Sequence, residues 1–331
     1  MENGGKMAWR IVMRAAAMLS FCGLCGCAGL QVKLGWKVSL QKIPVVSMTP
    51  MLVNGPGVAP GTKAKMIVSF QTADGKTLTT QGAGHGKVMW KDLALTSSVV
   101  QVSKKGKVSL ASDPRASDKQ TGHVAVAVVS QPAVHAQLDV PVRYDYAFRS
   151  IYAGSSGADG QSGTNGNAGS DGSTGSIDPN NPSPGGNGGD GTAGSSGSAG
   201  SDGGNGPDVA VAVRWRRKSQ LLQVSTTTGN GRMQYFLVDP KGGSLTVASN
   251  GGSGGRGGRG GKGGSGGSGG SGSPNGMSGS SGSDGSDGSD GSDGSPGSVS
   301  VTYDAAAQPY LNALHVPQGS SMTAGAVPKM W

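Results

Sequence analysis

Few residues in this chain have the types and spacing for reactive chemistry, and each group is limited by where it falls. Four histidines, His85, His123, His135 and His315, stand far apart among 331 residues, and Glu2 is the only glutamate. A hydrolytic or metal-assisted centre needs a nucleophile beside a base, or several ligands together. No such grouping is legible, so no catalytic residue, metal ligand or cofactor is expected, and the chain reads as a non-enzyme. His123 and His135 flank an apolar strand and read as surface or satisfied core residues. Asp284, Asp287, Asp290 and Asp293 recur every third residue. In an extended three-residue helix such neighbours lie about 9 Å apart along the axis, too far to share a calcium ion bound at roughly 2.3–2.6 Å. Arg256, Arg259 and Lys262 sit in a glycine-rich stretch without interleaved aromatics, which gives bases nothing to stack on. Nucleic acid is therefore not an expected partner.

The remaining chemistry is at cysteine. Cys22, Cys25 and Cys27 all lie near the start, behind a basic region of Lys6, Arg10 and Arg14 and the apolar run Ala15 to Leu24. That run is too short to span a bilayer and suits the apolar core of a signal peptide. The stretch Leu24-Cys25-Gly26-Cys27 resembles the lipobox of bacterial lipoproteins, departing from it at Cys25, where a small or β-branched residue is usual. The resemblance implies a signal peptide over residues 1–26 and Cys27 as the lipid-modified first residue of an exported, membrane-anchored chain. Ala28, rather than aspartate, follows Cys27; by the same resemblance this points to the outer membrane and the cell surface. Disulfides and thiolate metal sites are then excluded. Losing Lys6, Arg10, Arg14 and Glu2 lowers the net charge from +9 to about +7. Such a charge at the cell surface favours anionic lipid, lipopolysaccharide or extracellular polymers as partners.

The elements that position these residues begin with glycine. With 63 glycines and 34% hydrophobic residues, the chain has too little apolar surface for one core of its length. Glycine recurs every third residue in four runs, 154–175, 185–206, 251–272 and 276–297, each holding eight in-phase glycines. A period of three is that of the polyproline II helix, rising about 3.1 Å per residue without internal hydrogen bonds. Glycine at each third place leaves one side bare, where neighbouring backbones can bond to one another. Turn residues at 176–184 and 273–275 reverse the chain twice, so all four runs project from one β base to one distal tip. The pattern resembles polyglycine II bundles and shares its Gly-X-Y period with collagen. A collagen trimer requires parallel chains and is rich in proline at X and Y. A flexible linker requires neither equal lengths nor a strict phase.

Pairing runs three and four antiparallel about their turn places Arg256, Arg259 and Lys262 one residue from Asp293, Asp290 and Asp287. These pairs are expected to set register, each contributing only about 0.2–1 kcal/mol when exposed. Ile177 and Met277, beside the two turns, are the natural tip contacts.

Short β-rich stretches separated by turn signals fill the rest. The expected fold is all-β: an Ig-like β-sandwich over 27–150 and a small discontinuous β-domain over 207–250 and 298–316. Polyglycine II hairpins over 154–206 and 251–297 form the inserted four-strand bundle, and 317–331 reads as a flexible tail. Expected strands in the first part include Gln31–Leu40, Lys87–Trp90 and Leu138–Phe148, and Ala73-Asp74-Gly75-Lys76 marks a hairpin. Two functions fit. One is a lipid-anchored structural or adhesive surface protein with a rigid stalk. The other is a module binding polysaccharide or a surface protein, with the glycine runs as spacer.

Overall fold

A computed structural model of the chain describes residues 31, 32 and 34–331; the leader and Cys27 lie outside the described residues. The fold is mostly β, in several sheets. Two compact units divide between Tyr144 and Asp145. Among the described residues no helix is long and apolar enough to cross a membrane.

In the first unit, β1 (Val45–Leu52), β2 (Lys63–Thr72), β6 (Lys107–Ser109) and β5 (Gln101–Val102) form one sheet in that order, and β3 (Thr77–Thr79) also pairs with β2. A second sheet runs β4 (Leu93–Ser98), β7 (Gly122–Val128), β8 (Gln131–Val140). Side chains alternate across a strand, so β2 buries Ala64, Met66, Val68 and Phe70 and exposes Lys63 and Lys65. Val124, Val126 and Val128 of β7 join them in one core drawn from both sheets, each such side chain stabilising the unit by roughly 1.5–3 kcal/mol. Trp90 belongs to this core, and its Nε1 donates to the Gln81 carbonyl at 3.0 Å. Gly106, at φ +71°, lies so close that a Cβ there would sit 2.1 Å from the Trp90 ring.

Several expected strands differ. Between 34 and 40 there is only an isolated bridge from Val38 to Val88, and Trp90 opens a short 3-10 turn. Leu138–Phe148 is not one strand: β8 ends at Val140, and the next strand belongs to the second unit. Unexpected β1 contains Pro50, which lacks the N–H a central strand needs but is tolerated on this edge strand.

In the second unit, β12 (Met233–Val238), β11 (Leu221–Thr228), β10 (Val209–Arg216), β14 (Val299–Tyr303) and β16 (Ser321–Ala324) form one sheet. The other is β15 (Leu314–His315), β13 (Ser244–Asn250), β9 (Ala147–Ala153). Val209, Val211, Val213, Leu222, Val224, Leu245 and Val247 are buried. A buried polar knot links the two sheets: Tyr152 Oη lies 2.7 Å from Thr226 Oγ1, and Ser150 Oγ donates to Gln234 Oε1 at 2.9 Å. The segment 317–331, expected to be loose, supplies β16, which pairs in parallel with β14. Trp331 packs edge-on against Tyr235 with ring centroids 5.5 Å apart, and the Arg216 guanidinium lies over its ring.

Candidate functional site

The four glycine-phased runs belong to this second unit and join four of its strands: β9 leads into run one, β13 into run three, and runs two and four return into β10 and β14. The pairings β9 with β13 and β10 with β14 are both parallel, and the runs keep that relation. Gly160 and Gly163 of run one donate to Arg256 and Arg259 of run three, and Gly191 and Gly194 of run two to Ser280 and Ser283 of run four. Antiparallel contacts complete the array: run two donates to run one (Ser198 to Gln161), run three to run two (Gly258 to Ser198), and run four to run three (Gly288 to Gly258). Each of these five interfaces carries seven or eight backbone hydrogen bonds of 2.6–3.2 Å.

Runs two and three thus have three bonded neighbours, and runs one and four have two. Sequence follows this placement. Run three is glycine at two of every three places through Gly270, and its second set, including Gly255, Gly258, Gly261 and Gly264, is buried. A Cβ on Gly258 would lie 2.0 Å from the Gln161 carbonyl oxygen. In run two the second place is filled by Thr192, Ser195, Ser198 and Ser201, whose hydroxyls accept backbone N–H groups from Asn167, Thr164, Gln161 and Ala158 of run one. Where run two has Gly186, Gly189 or Gly204 instead, run one sets a serine opposite.

The aspartates do not pair with the cations. Asp293, Asp290, Asp287 and Asp284 accept the backbone N–H of Gly254, Gly257, Gly260 and Gly263 at 2.7–2.8 Å. The expected partners Arg256, Arg259 and Lys262 form no ion pair with these carboxylates, each of which accepts a backbone N–H instead. The reason is geometric. An aspartate side chain is short enough to reach the adjacent backbone, where it satisfies a donor that points away from the run-to-run bonds. Twelve Asp and Asn side chains act in this way across the array. At the base, Asp208 accepts both the hydroxyl and the N–H of Ser298, and the hydroxyl first, then the N–H, hold its carboxyl below the usual range.

At the far end the turns meet, with Ser273 N–H donating to the Ser183 carbonyl at 2.9 Å. Ile177 and Met277 flank this end and are 74% and 72% exposed, the highest values among the large hydrophobic side chains described.

A second candidate lies in the first unit. A cleft of about 730 Å³ is bordered by Lys37, Lys63, Lys65, Lys91, Lys105 and Lys107 over apolar walls that include Met66, Met89 and Trp90, with no acidic residue in its lining. Alternate lysines at 63/65 and 105/107 were its signal in sequence. A third grouping also escapes sequence reading: cross-strand register places His123 between Ser98 and Asp139. His123 Nδ1 lies 2.8 Å from Asp139 Oδ1, but no hydrogen bond joins it to Ser98, and both side chains are solvent-exposed on the sheet face. Activation of a serine requires that bond and a shielded orienting carboxylate. Among the described residues, no three His, Cys, Asp or Glu side chains converge as metal ligands.

No family model, curated protein or solved structure matches this chain.

Proposed function

We propose that this is an exported lipoprotein, anchored through Cys27, that presents a stiff glycine-rich stalk at the cell surface in a structural or adhesive role. On this reading the four runs are a polyglycine II bundle and the first unit is an Ig-like sandwich. The observation that carries it is the cross-bonding of all four runs at five interfaces. A spacer that stays a random coil has no use for matched lengths, for buried second-phase glycines or for side chains that cap the neighbouring backbone. At about 3.1 Å per residue, a run of this length spans roughly 65–70 Å, enough to carry the tip residues Ile177 and Met277 well away from the β base. The lysine cleft supports the companion reading of a polysaccharide-binding or protein-binding module, which the stalk reading accommodates.

Labelled palmitate fed to cells expressing the chain is expected to enter the wild type and not Cys27→Ala; equal incorporation overturns the anchor. Cell adhesion is expected to fall in the Ile177→Ser/Met277→Ser double variant. Unchanged adhesion removes the tip from the contact.

A further inference from the structure

The lysine cleft has a composition that folding does not explain. Lys65 of β2 and Lys107 of β6 are direct cross-strand partners, with Lys63 on the same face of β2. Like charges directly opposite one another weaken a ladder. Lys37, Lys91 and Lys105 bring further positive charge to the same space. Among the described residues, none of the six forms an ion pair. The fold bears this repulsion without an internal counter-charge, which is the pattern of a surface completed by an anionic ligand.

The residue types narrow that ligand. Six lysines and no arginine border the cleft. Lysine is a point charge on a flexible stem, suited to ligand charges arriving at varied angles, whereas a single planar anion is held best by the arginine fork. The volume falls within the range of about 300–1,000 Å³ typical of ligand pockets, which suits a short length of polymer rather than the face of a globular protein. Stacking is not on offer: Trp90 is 9% exposed and its Nε1 is committed to the Gln81 carbonyl. Binding of single-stranded nucleic acid relies on such aromatic platforms; charge on successive sugars needs none. We infer that this cleft binds a linear polyanionic polysaccharide carrying carboxylate or sulfate groups along its length. The inference rests on the binding-module part of the reading above and is independent of the stalk and the anchor.

The test uses the purified full-length chain and titrates it with polygalacturonate, dextran sulfate, neutral dextran and a single-stranded oligonucleotide at several salt concentrations. Binding of at least one of the two acidic glycans is expected, falling steeply with salt, with none of neutral dextran. Lys65→Gln/Lys105→Gln/Lys107→Gln should weaken it at least tenfold. A control of equal charge change in the second unit, Lys218→Gln/Lys241→Gln/Lys329→Gln, should change it less than twofold. Should the first triple variant fail to fold, Lys37→Gln/Lys91→Gln, on the other elements bordering the cleft, should weaken binding at least threefold. No binding of either acidic glycan overturns the proposal, as does equal loss in cleft and control variants or tighter binding of the oligonucleotide. Palmitate labelling is read separately, so failure of the anchor and failure of the cleft cannot be confused.

Discussion

Gly188 and Gly189 are adjacent in run two, yet the array treats them differently. A Cβ on Gly188 would lie 2.2 Å from the carbonyl oxygen of Gly267 and 2.6 Å from its carbon, whereas on Gly189 the nearest atoms are Ser170 Oγ at 3.0 Å and Ser170 N at 3.2 Å. Relieving the first contact to an ordinary 3.4 Å requires run three to retreat by about 1.2 Å. The bonds from Gly267 to Gly189 and from Gly270 to Gly186, now 2.9 Å, would open to about 4 Å, beyond hydrogen-bonding range. Two bonds lost, with both donors in buried glycines, cost about 3 kcal/mol. For a unit of this size that is roughly 6–12 °C in melting temperature. The Gly189→Ala side chain meets the hydroxyl of Ser170, which can rotate away, and the Ser170 backbone N at 3.2 Å, a contact relieved by a shift of about 0.2 Å. Any gain from reducing the freedom of the unfolded chain, about 0.4–1 kcal/mol, is common to both variants. Calorimetric melting of the two variants should therefore separate them by at least about 5 °C, with Gly188→Ala the lower. Equal melting temperatures would refute the packing argument, and no change in either is what a flexible spacer requires.

The role of the aspartates is separable from that of the cations. Asp290→Ala should destabilise the second unit by about 1 kcal/mol in urea titration by stranding the Gly257 N–H, while Arg259→Ala stays within about 0.5 kcal/mol of wild type; equal losses would restore the ion-pair account. In the second unit Asp208 contributes an acid dependence, its carboxyl held below the usual range mainly by the Ser298 hydroxyl. A depressed folded pKa means that its contribution is full above the unfolded value of about 3.9 and disappears as pH falls through the folded value. The melting-temperature gap between wild type and Asp208→Asn should be constant from pH 7 to about pH 5 and close below that; a gap that widens with acid contradicts it.

Much of the second unit was legible because its signals are local and periodic. Equal glycine runs, turn residues at 176–184 and 273–275, and apolar strands such as Val299–Tyr303 all report on their own neighbourhoods. What escaped depends on partners far along the chain. The doubled glycine of run three, written openly as Gly254-Gly255-Arg256, shows that this strand is enclosed on more than one side, but only when neighbours are counted. Asp287 and Lys262 looked like a pair by charge, yet the short carboxylate finds the Gly260 amide first. Read by proximity in sequence, residues 147–150 close the first domain, yet they open β9, whose hydrogen-bonding partner β13 lies almost a hundred residues away. The cleft escaped because its lysines come from separate segments, each of which alone reads as an ordinary solvated face.

The spacing along the β base passes without a break into the array. Ala147 stands beside Ser244 in the sheet, and Asp159 reaches Arg256 at the same separation of 97 residues; Val209 beside Val299 and Asp190 at Ser280 share a separation of 90. The second unit thus keeps a single reading frame from its sheets to the tip. Adding one residue to any run would move everything beyond it out of the three-residue phase and set side chains where only bare backbone fits. Such a chain can grow or shrink only by whole triplets, added to both arms of a hairpin at its outer bend.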